Sequence, residues 1–391
     1  MSLQQYLTLA QYDQSLQSLA YGNTPQAQMP HEKGELAQTL HAWWRFKTRQ
    51  PCSEQQQAAW PHMLRQQWQG WQHYYMGAYV LAHAHFMQAW HDPEREQSLL
   101  LSLDTALGFA KVYTRTGHWS AAHKWLLWYL HHARQQQDMF AVVQGYGALG
   151  ELFLRADHSQ AAMACLNTAF HLLPIGSGQQ AKQLNYLASA LMRHQEWMRA
   201  EGLLQHGLNI AQDQWRLSGQ GAVADSLWHA LMRLQFLRYQ QPTSDTSDDI
   251  CAQYAELIDQ LPRDRAKVAQ GFLYIGQALT AIKNRQTAHI EHALQQAAQR
   301  LGSAYPVERA WVARLQQNHS CCPTIQSEQH KRIASALAQI TLQPCVAPPV
   351  HCVLDQTWQH YVLPENSVFA QWLRQPVDAE TDQNAWKLFF I

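Results

Sequence analysis

The chain has 391 residues and carries Lys plus Arg and Asp plus Glu in equal number, 29 each, so its formal net charge at pH 7 is zero. A dedicated nucleic-acid binder shows a basic excess on at least one domain, and this balance argues against one. Apolar residues make up 47%, enough for a packed core, which argues against wholesale disorder.

Only 15% of the residues are charged, below the ~25% of an average domain. Gln and 22 His fill the polar surface instead, so the charge swings positive as His titrates between about pH 7 and pH 5. The first residues, Met1-Ser-Leu-Gln-Gln-Tyr6, lack the basic segment and apolar run of a secretory leader. No window approaches ~18 uninterrupted apolar residues. The expectation is therefore a cytoplasmic protein with no membrane partner. Cys52, Cys165, Cys251, Cys321, Cys322, Cys345 and Cys352 are odd in number and scattered, as reduced thiols are.

Residues 1–100 are expected to form a helical, aromatic-rich N-terminal region. Within it Tyr21–His31 carries Gly22, Pro25 and Pro30 and predicts a loop. The stretch 35–92 is patterned for helix, with Trp43, Trp44, Trp60, Trp68, Trp71, Tyr74, Tyr75 and Tyr79. It holds either degenerate repeats or a helical bundle that caps the downstream residues.

Residues 101–317 repeat. Arg115-Thr-Gly-His-Trp-Ser-Ala-Ala122, Arg155-Ala-Asp-His-Ser-Gln-Ala-Ala162 and Arg193-His-Gln-Glu-Trp-Met-Arg-Ala200 each lie between two helix-like apolar stretches. This predicts a helix–turn–helix unit in tandem. Tyr146, Leu149, Gly150, Phe153, Ala162, Ala169 and Pro174 then follow the order large residue, Leu-Gly pair, aromatic, two small residues and closing Pro. Tyr113, Gly117, Trp119 and Ala122 supply a preceding unit. Leu187, Ala188, Trp197 and Ala200 supply the next, and Phe272, Ile275, Gly276, Leu279 and Ala288 a later one. These positions resemble the tetratricopeptide family, over about 104–300. The resemblance implies an all-α solenoid whose first helix of each pair lines a concave face that binds protein or peptide. The period, near 40 residues, exceeds the family's ~34, so either the helices are longer or the turns carry inserts. Ala222–Tyr239 reads as a degenerate helix, 240–249 as a polar loop, and a further helix is expected from near Asp249.

Residues 318–391 are expected to form a less regular cap. A helix is predicted over Ser327–Ile340. Pro344, Pro348 and Pro349 forbid regular helix after it, and Val350–Leu354 and Gln359–Leu363 are candidate strands or extended segments.

Mapped onto the repeat, the inner-face candidates for ligand binding are Lys111, Arg115, Arg155, Lys182, Asn185 and Arg193. Arg115, Arg155 and Arg193 share one repeat position and can form a ladder of guanidinium forks suited to carboxylate or phosphate. Alternatively, each merely complements the dipole at the end of its helix. The Lys/Asn set with which chaperone-type members clamp a terminal carboxylate is not reproduced beyond Asn185. His289 and His292 share a helix face but lack a third zinc ligand. His118 and His158 fall in turns, where exposure is the default. Cys321, Cys322, Cys345, His351 and Cys352 lack zinc-hairpin spacing. No phosphate loop, dinucleotide loop, nucleophile elbow or His-Glu-x-x-His occurs. The expected function is a non-enzymatic protein- or peptide-binding adaptor or regulator, with no catalytic residue, metal or cofactor assigned and the oligomeric state open. The layout also resembles the Rap-type peptide-sensing regulators, although no motif residue matches. The alternative from another class is a metal-dependent enzyme or accessory subunit with a His/Cys site.

Overall fold

The computed structural model describes residues 62–93, 95, 99–173, 175–218, 252, 255–256, 258–259, 267–283, 285–302, 305–319, 323–349, 358 and 361–385. Every regular element among them is helical. The helices are α1 (His62–Tyr75), α2 (Tyr79–Trp90), α3 (Leu99–Thr116), α4 (Trp119–Gln135), α5 (Met139–Arg155), α6 (Ser159–His171) and α7 (Gly178–Arg193). They continue with α8 (Trp197–Ser218), α9 (Lys267–Lys283), α10 (Thr287–Leu301), α11 (Pro306–His319), α12 (Pro323–Ile340), α13 (Val368–Arg374) and α14 (Ala379–Asn384). From α1 to α12 they pack as consecutive pairs, and pairs adjoin through α2–α3, α4–α5, α6–α7 and α10–α11. The arrangement is an all-helical array of the solenoid kind. Among the described residues no helix is long and apolar enough to cross a membrane.

One turn recurs between the two helices of a pair. Gly77, Gly117, Asp157, Gln195 and Arg285 all have positive φ, and each lies two residues before the second helix. The following amide donates back across the turn: Ala78 to His73, His118 to Tyr113, His158 to Phe153, Glu196 to Leu191 and Gln286 to Ala281. This left-handed C-cap with a six-to-one bond satisfies carbonyls that would otherwise be orphaned at the helix end. The next helix then starts on a fixed heading. Ala82, Ala122, Ala162 and Ala200 donate to the residue just after the turn and are all fully buried, so the second helix closes tightly on the first. In the last such pair Ile290, not Ala288, stands four residues after Gln286. The long period sits in the helices: α3 and α4 have 18 and 17 residues, and only Gly117 and His118 separate them.

Small residues opposite large ones set the spacing within a pair. A Cβ on Gly70 would lie 2.7 Å from the ring of Phe86, and one on Gly150 would lie 2.5 Å from Leu166 Cγ. Gly150 and Leu166 stand two repeat lengths beyond Gly70 and Phe86, so α1–α2 shows the same complementarity as α5–α6. Tyr113, Leu149, Phe153, Ala169, Ala188, Ile275 and Leu279 belong to the core as the repeat pattern predicts. Trp125 and Trp128 pack between units, edge-on to Trp90 with centroids 4.7 and 5.3 Å apart. Edge-to-face contact suits the ring quadrupoles. Ser177 caps α7 by accepting from the Gln180 amide.

The C-terminal part returns to the beginning of the array. α12 packs on α2 and α3, α13 on α3, and α14 on α11. Arg314, 1% exposed in its side chain, ties α14 to α11 with an ion pair to Asp382 at 2.7 Å. Its other donors meet the carbonyls of Gln375 and Pro376, while Asn318 and the indole of Trp311 also reach Asp382. Residues 341–349 and 361–364 have no regular structure, so 361–363 runs without the strand considered for it. The candidate strand 350–354, Pro174, the helix read over 222–239 and the loop 240–249 lie outside the described residues.

Gly117 has φ 81, and a Cβ there would sit 2.9 Å from the Phe369 amide nitrogen. Gly117→Ala is expected to lower stability by about 1–3 kcal/mol. Gln195, exposed and also at positive φ, should instead gain up to ~1 kcal/mol on Gln195→Gly, because glycine carries no left-handed penalty. Urea unfolding of both variants checks the pair.

Candidate functional site

The first helices of consecutive pairs bring polar side chains together on one face. Lys111 of α3 and Glu151 of α5 occupy the same repeat position and meet at 2.7 Å. Arg155, one turn further along α5, lies 3.6 Å from the other carboxylate oxygen. The hydroxyl of Tyr186 on α7 donates to Glu151 at 3.2 Å. The Glu151 and Arg155 side chains are only 7% and 4% exposed. Burial pushes the Glu151 carboxyl up, but Lys111, Arg155 and Arg115 outweigh it and hold the group well below the usual carboxylate range. Burial likewise depresses the Lys111 amine, and Glu151 more than restores it. A buried charge is tolerable only when paired and hydrogen-bonded in this way.

The remaining candidates are placed differently. Arg115 reaches across the closure to Glu308 of α11 at 3.2 Å and lies over the Tyr305 ring at 5.4 Å. Arg193 pairs at 2.8 Å with Asp157 in the turn of the preceding unit. Lys182 is exposed, with its ammonium 6.0 Å from the Tyr186 ring. Asn185 is buried, and its main-chain carbonyl accepts from the Ser189 hydroxyl. The structure thus gathers Lys111 and Arg155 around one carboxylate, places Lys182 nearby through Tyr186, and gives Arg115 and Arg193 their own acids. The three arginines do occupy the last turns of α3, α5 and α7, as the dipole account requires, but their forks already engage acids of this chain. The offset of one repeat between Lys111 and Glu151 was open to detection in the sequence. The Arg115–Glu308 pair, 193 residues apart, had no local signal.

The histidines depart from expectation at one turn. His118 is 5% exposed, not solvent-facing, and hydrogen-bonds Thr116 at 2.9 Å. His83 is bonded to the Tyr113 hydroxyl at 2.9 Å. Burial, with the nearby His118, pushes His83 down to about 4, and burial lowers His118 too. His158 is half-buried against Phe153 and Tyr361. His289 and His292 are exposed. Among the described residues no three His, Cys, Asp or Glu side chains gather as metal ligands. Cys165 and Cys345 are free thiols raised by burial. Cys52, Cys251, Cys321, Cys322, His351 and Cys352 lie outside the described residues, as do Trp43, Trp44 and Trp60. Trp68, Trp71 and Tyr79 are core.

In comparisons with known proteins, no family model matches the chain and no curated protein matches it.

Removing the carboxylate in Glu151→Ala strands two buried cations and should cost about 3–5 kcal/mol, read as a shift in the urea midpoint. Acid should weaken the fold through the histidines. His83 has a folded value near 4 against an unfolded value of ~6.5, so the unfolded chain binds the proton first and stability falls as pH drops through that window. The drop between pH 6.5 and pH 4.5 should be smaller in His83→Gln. An equal drop in the two proteins would show that His83 does not contribute.

Proposed function

We propose that this chain is a non-enzymatic adaptor or regulator, built of tetratricopeptide-like units, that binds a protein or peptide segment on the inner face of its array. The observation that supports this reading is the convergence of Lys111, Glu151 and Tyr186 from three consecutive first helices. Stacked pairs present such a surface continuously, which suits an extended ligand. The buried Lys111–Glu151–Arg155 set acts as a rigid, pre-paired floor, since an acidic ligand would have to displace Glu151 from its cations. Recognition then falls to the rim, where Lys182 is exposed and Tyr186 is half-buried beside it.

Lys182→Glu reverses the rim charge without touching the buried set, and should leave the unfolding midpoint within about 0.5 kcal/mol of the parent. Random extended peptides selected on the folded chain should include binders that weaken at least tenfold on Lys182→Glu, measured by fluorescence anisotropy. Absence of binders, or binders indifferent to Lys182→Glu and Tyr186→Phe, would remove the inner face from the function.

A further inference from the structure

The array already holds an extended peptide, and that peptide is its own. Cys345 is clamped through both main-chain groups: its amide donates to the Tyr113 hydroxyl at 2.7 Å, and its carbonyl accepts from the Trp125 indole at 2.9 Å. His118 bonds the Leu342 carbonyl. Further along, the Pro364 carbonyl accepts from the Ser120 amide at 3.3 Å, and the Val368 amide donates to the Gly117 carbonyl at 3.1 Å. The Ser367 hydroxyl donates to the Thr116 carbonyl. Between these points Tyr361 and Trp358 lie on the Phe153 ring, with centroids 4.8 and 5.9 Å away.

Three features make this a peptide site as well as a packing contact. The array reads main-chain atoms, which any extended chain presents. The occupant lies outside helix and strand over 341–349 and 361–364, so array groups meet main-chain hydrogen bonds that secondary structure would otherwise supply. Pro344, Pro348 and Pro364 also fix φ and lower the ordering cost of an extended backbone. The occupant's apolar side chains divide: Val346 and Val362 are 83% and 90% exposed, while Ala347, Trp358 and Leu363 are buried. The reading groups, by contrast, are rigid, because Tyr113 and Trp125 are fully buried in the core.

From these contacts we propose that the turn edge of the α3–α4 and α5–α6 pairs is a binding surface for an extended, proline-containing peptide with aromatic residues. Residues 342–349, 358 and 361–367 occupy it in cis, and a partner segment of the same chemistry enters by displacing them. The surface lies at the turns, away from Lys182 and Tyr186, and does not depend on the inner-face reading. A tethered occupant competes at an effective concentration of roughly millimolar, so a free peptide binds the parent chain weakly. Weakening the tethered copy exposes the site.

Cys345→Pro removes the amide that meets Tyr113, and Trp358→Ala with Tyr361→Ala removes both rings, all without altering the receiving surface. A fluorescent peptide with the natural sequence of residues 341–367 should bind the full-length triple variant at least tenfold more tightly than the parent. That gain should vanish when Trp125→Phe is added, since Phe keeps the ring and loses the indole N–H. No gain, or a gain that persists with Trp125→Phe, overturns the proposal. Should the triple variant not fold, the parent chain decides the matter. Millimolar peptide, isotopically heavy so that its fragments separate by mass, should speed amide exchange in the chain's own 341–349, and unchanged exchange there overturns the proposal. Lys182→Glu should leave both readouts unaltered, which separates this surface from the inner face.

Discussion

The left-handed turn between paired helices is the constraint on which the rest of the architecture depends. One residue at positive φ, with the six-to-one bond behind it, ends the first helix and starts the second two residues later. Because the turn repeats, the fully buried alanines of successive second helices fall at equivalent points. The glycines opposite Phe86 and Leu166 then admit large side chains where two helix axes come close. Glycine fills this turn at Gly77 and Gly117, but Asp157, Gln195 and Arg285 accept the same conformation. Packing therefore overrides a local preference worth ~1 kcal/mol per residue.

A tandem array leaves its two ends uncovered, and here the C-terminal helices return to the first pairs. The Arg115–Glu308 pair spans this closure, and the buried Arg314–Asp382 pair fixes the last helix on α11. A guanidinium at 1% exposure is costly unless its fork is filled, and the carboxylate and two carbonyls fill it. The Phe369 ring also lies against Trp119 at the turn that carries Gly117, so the repeat and the closing segment share one small region. The same region presents Tyr113 and Trp125 to the Cys345 backbone.

The first helices of consecutive pairs show how a periodic sequence balances its own charges. A cation and an acid at one repeat position, Lys111 and Glu151, become neighbours because the units stack in register. Pairing satisfies both charges within the chain. Arg193, with its side chain 9% exposed, meets the exposed carboxylate of Asp157 in the turn of the preceding unit.

Helical periodicity, the recurring Arg–turn–Ala segments and the small–large pattern made the paired helices between 104 and 218 legible from the residues, because each unit is a local object defined within about 40 positions. The α1–α2 pair was harder to read, since its turn segment Tyr75–Ala82 opens on Tyr where the later ones open on Arg. Lys111, Arg115, Arg155 and Arg193 could be placed on first helices by spacing, and the repeat offset links Lys111 to Glu151. The partner of Arg115 could not be placed, because Glu308 arrives from the far end of the chain. The burial of His118 has the same origin, because its cover comes from the segment around Leu342. Sequence determined the repeating unit, since hydrogen bonding and side-chain size act over neighbouring turns. Tertiary structure alone decided which acid answers Arg115 and which edge holds an extended segment, since those contacts join residues that no local period relates.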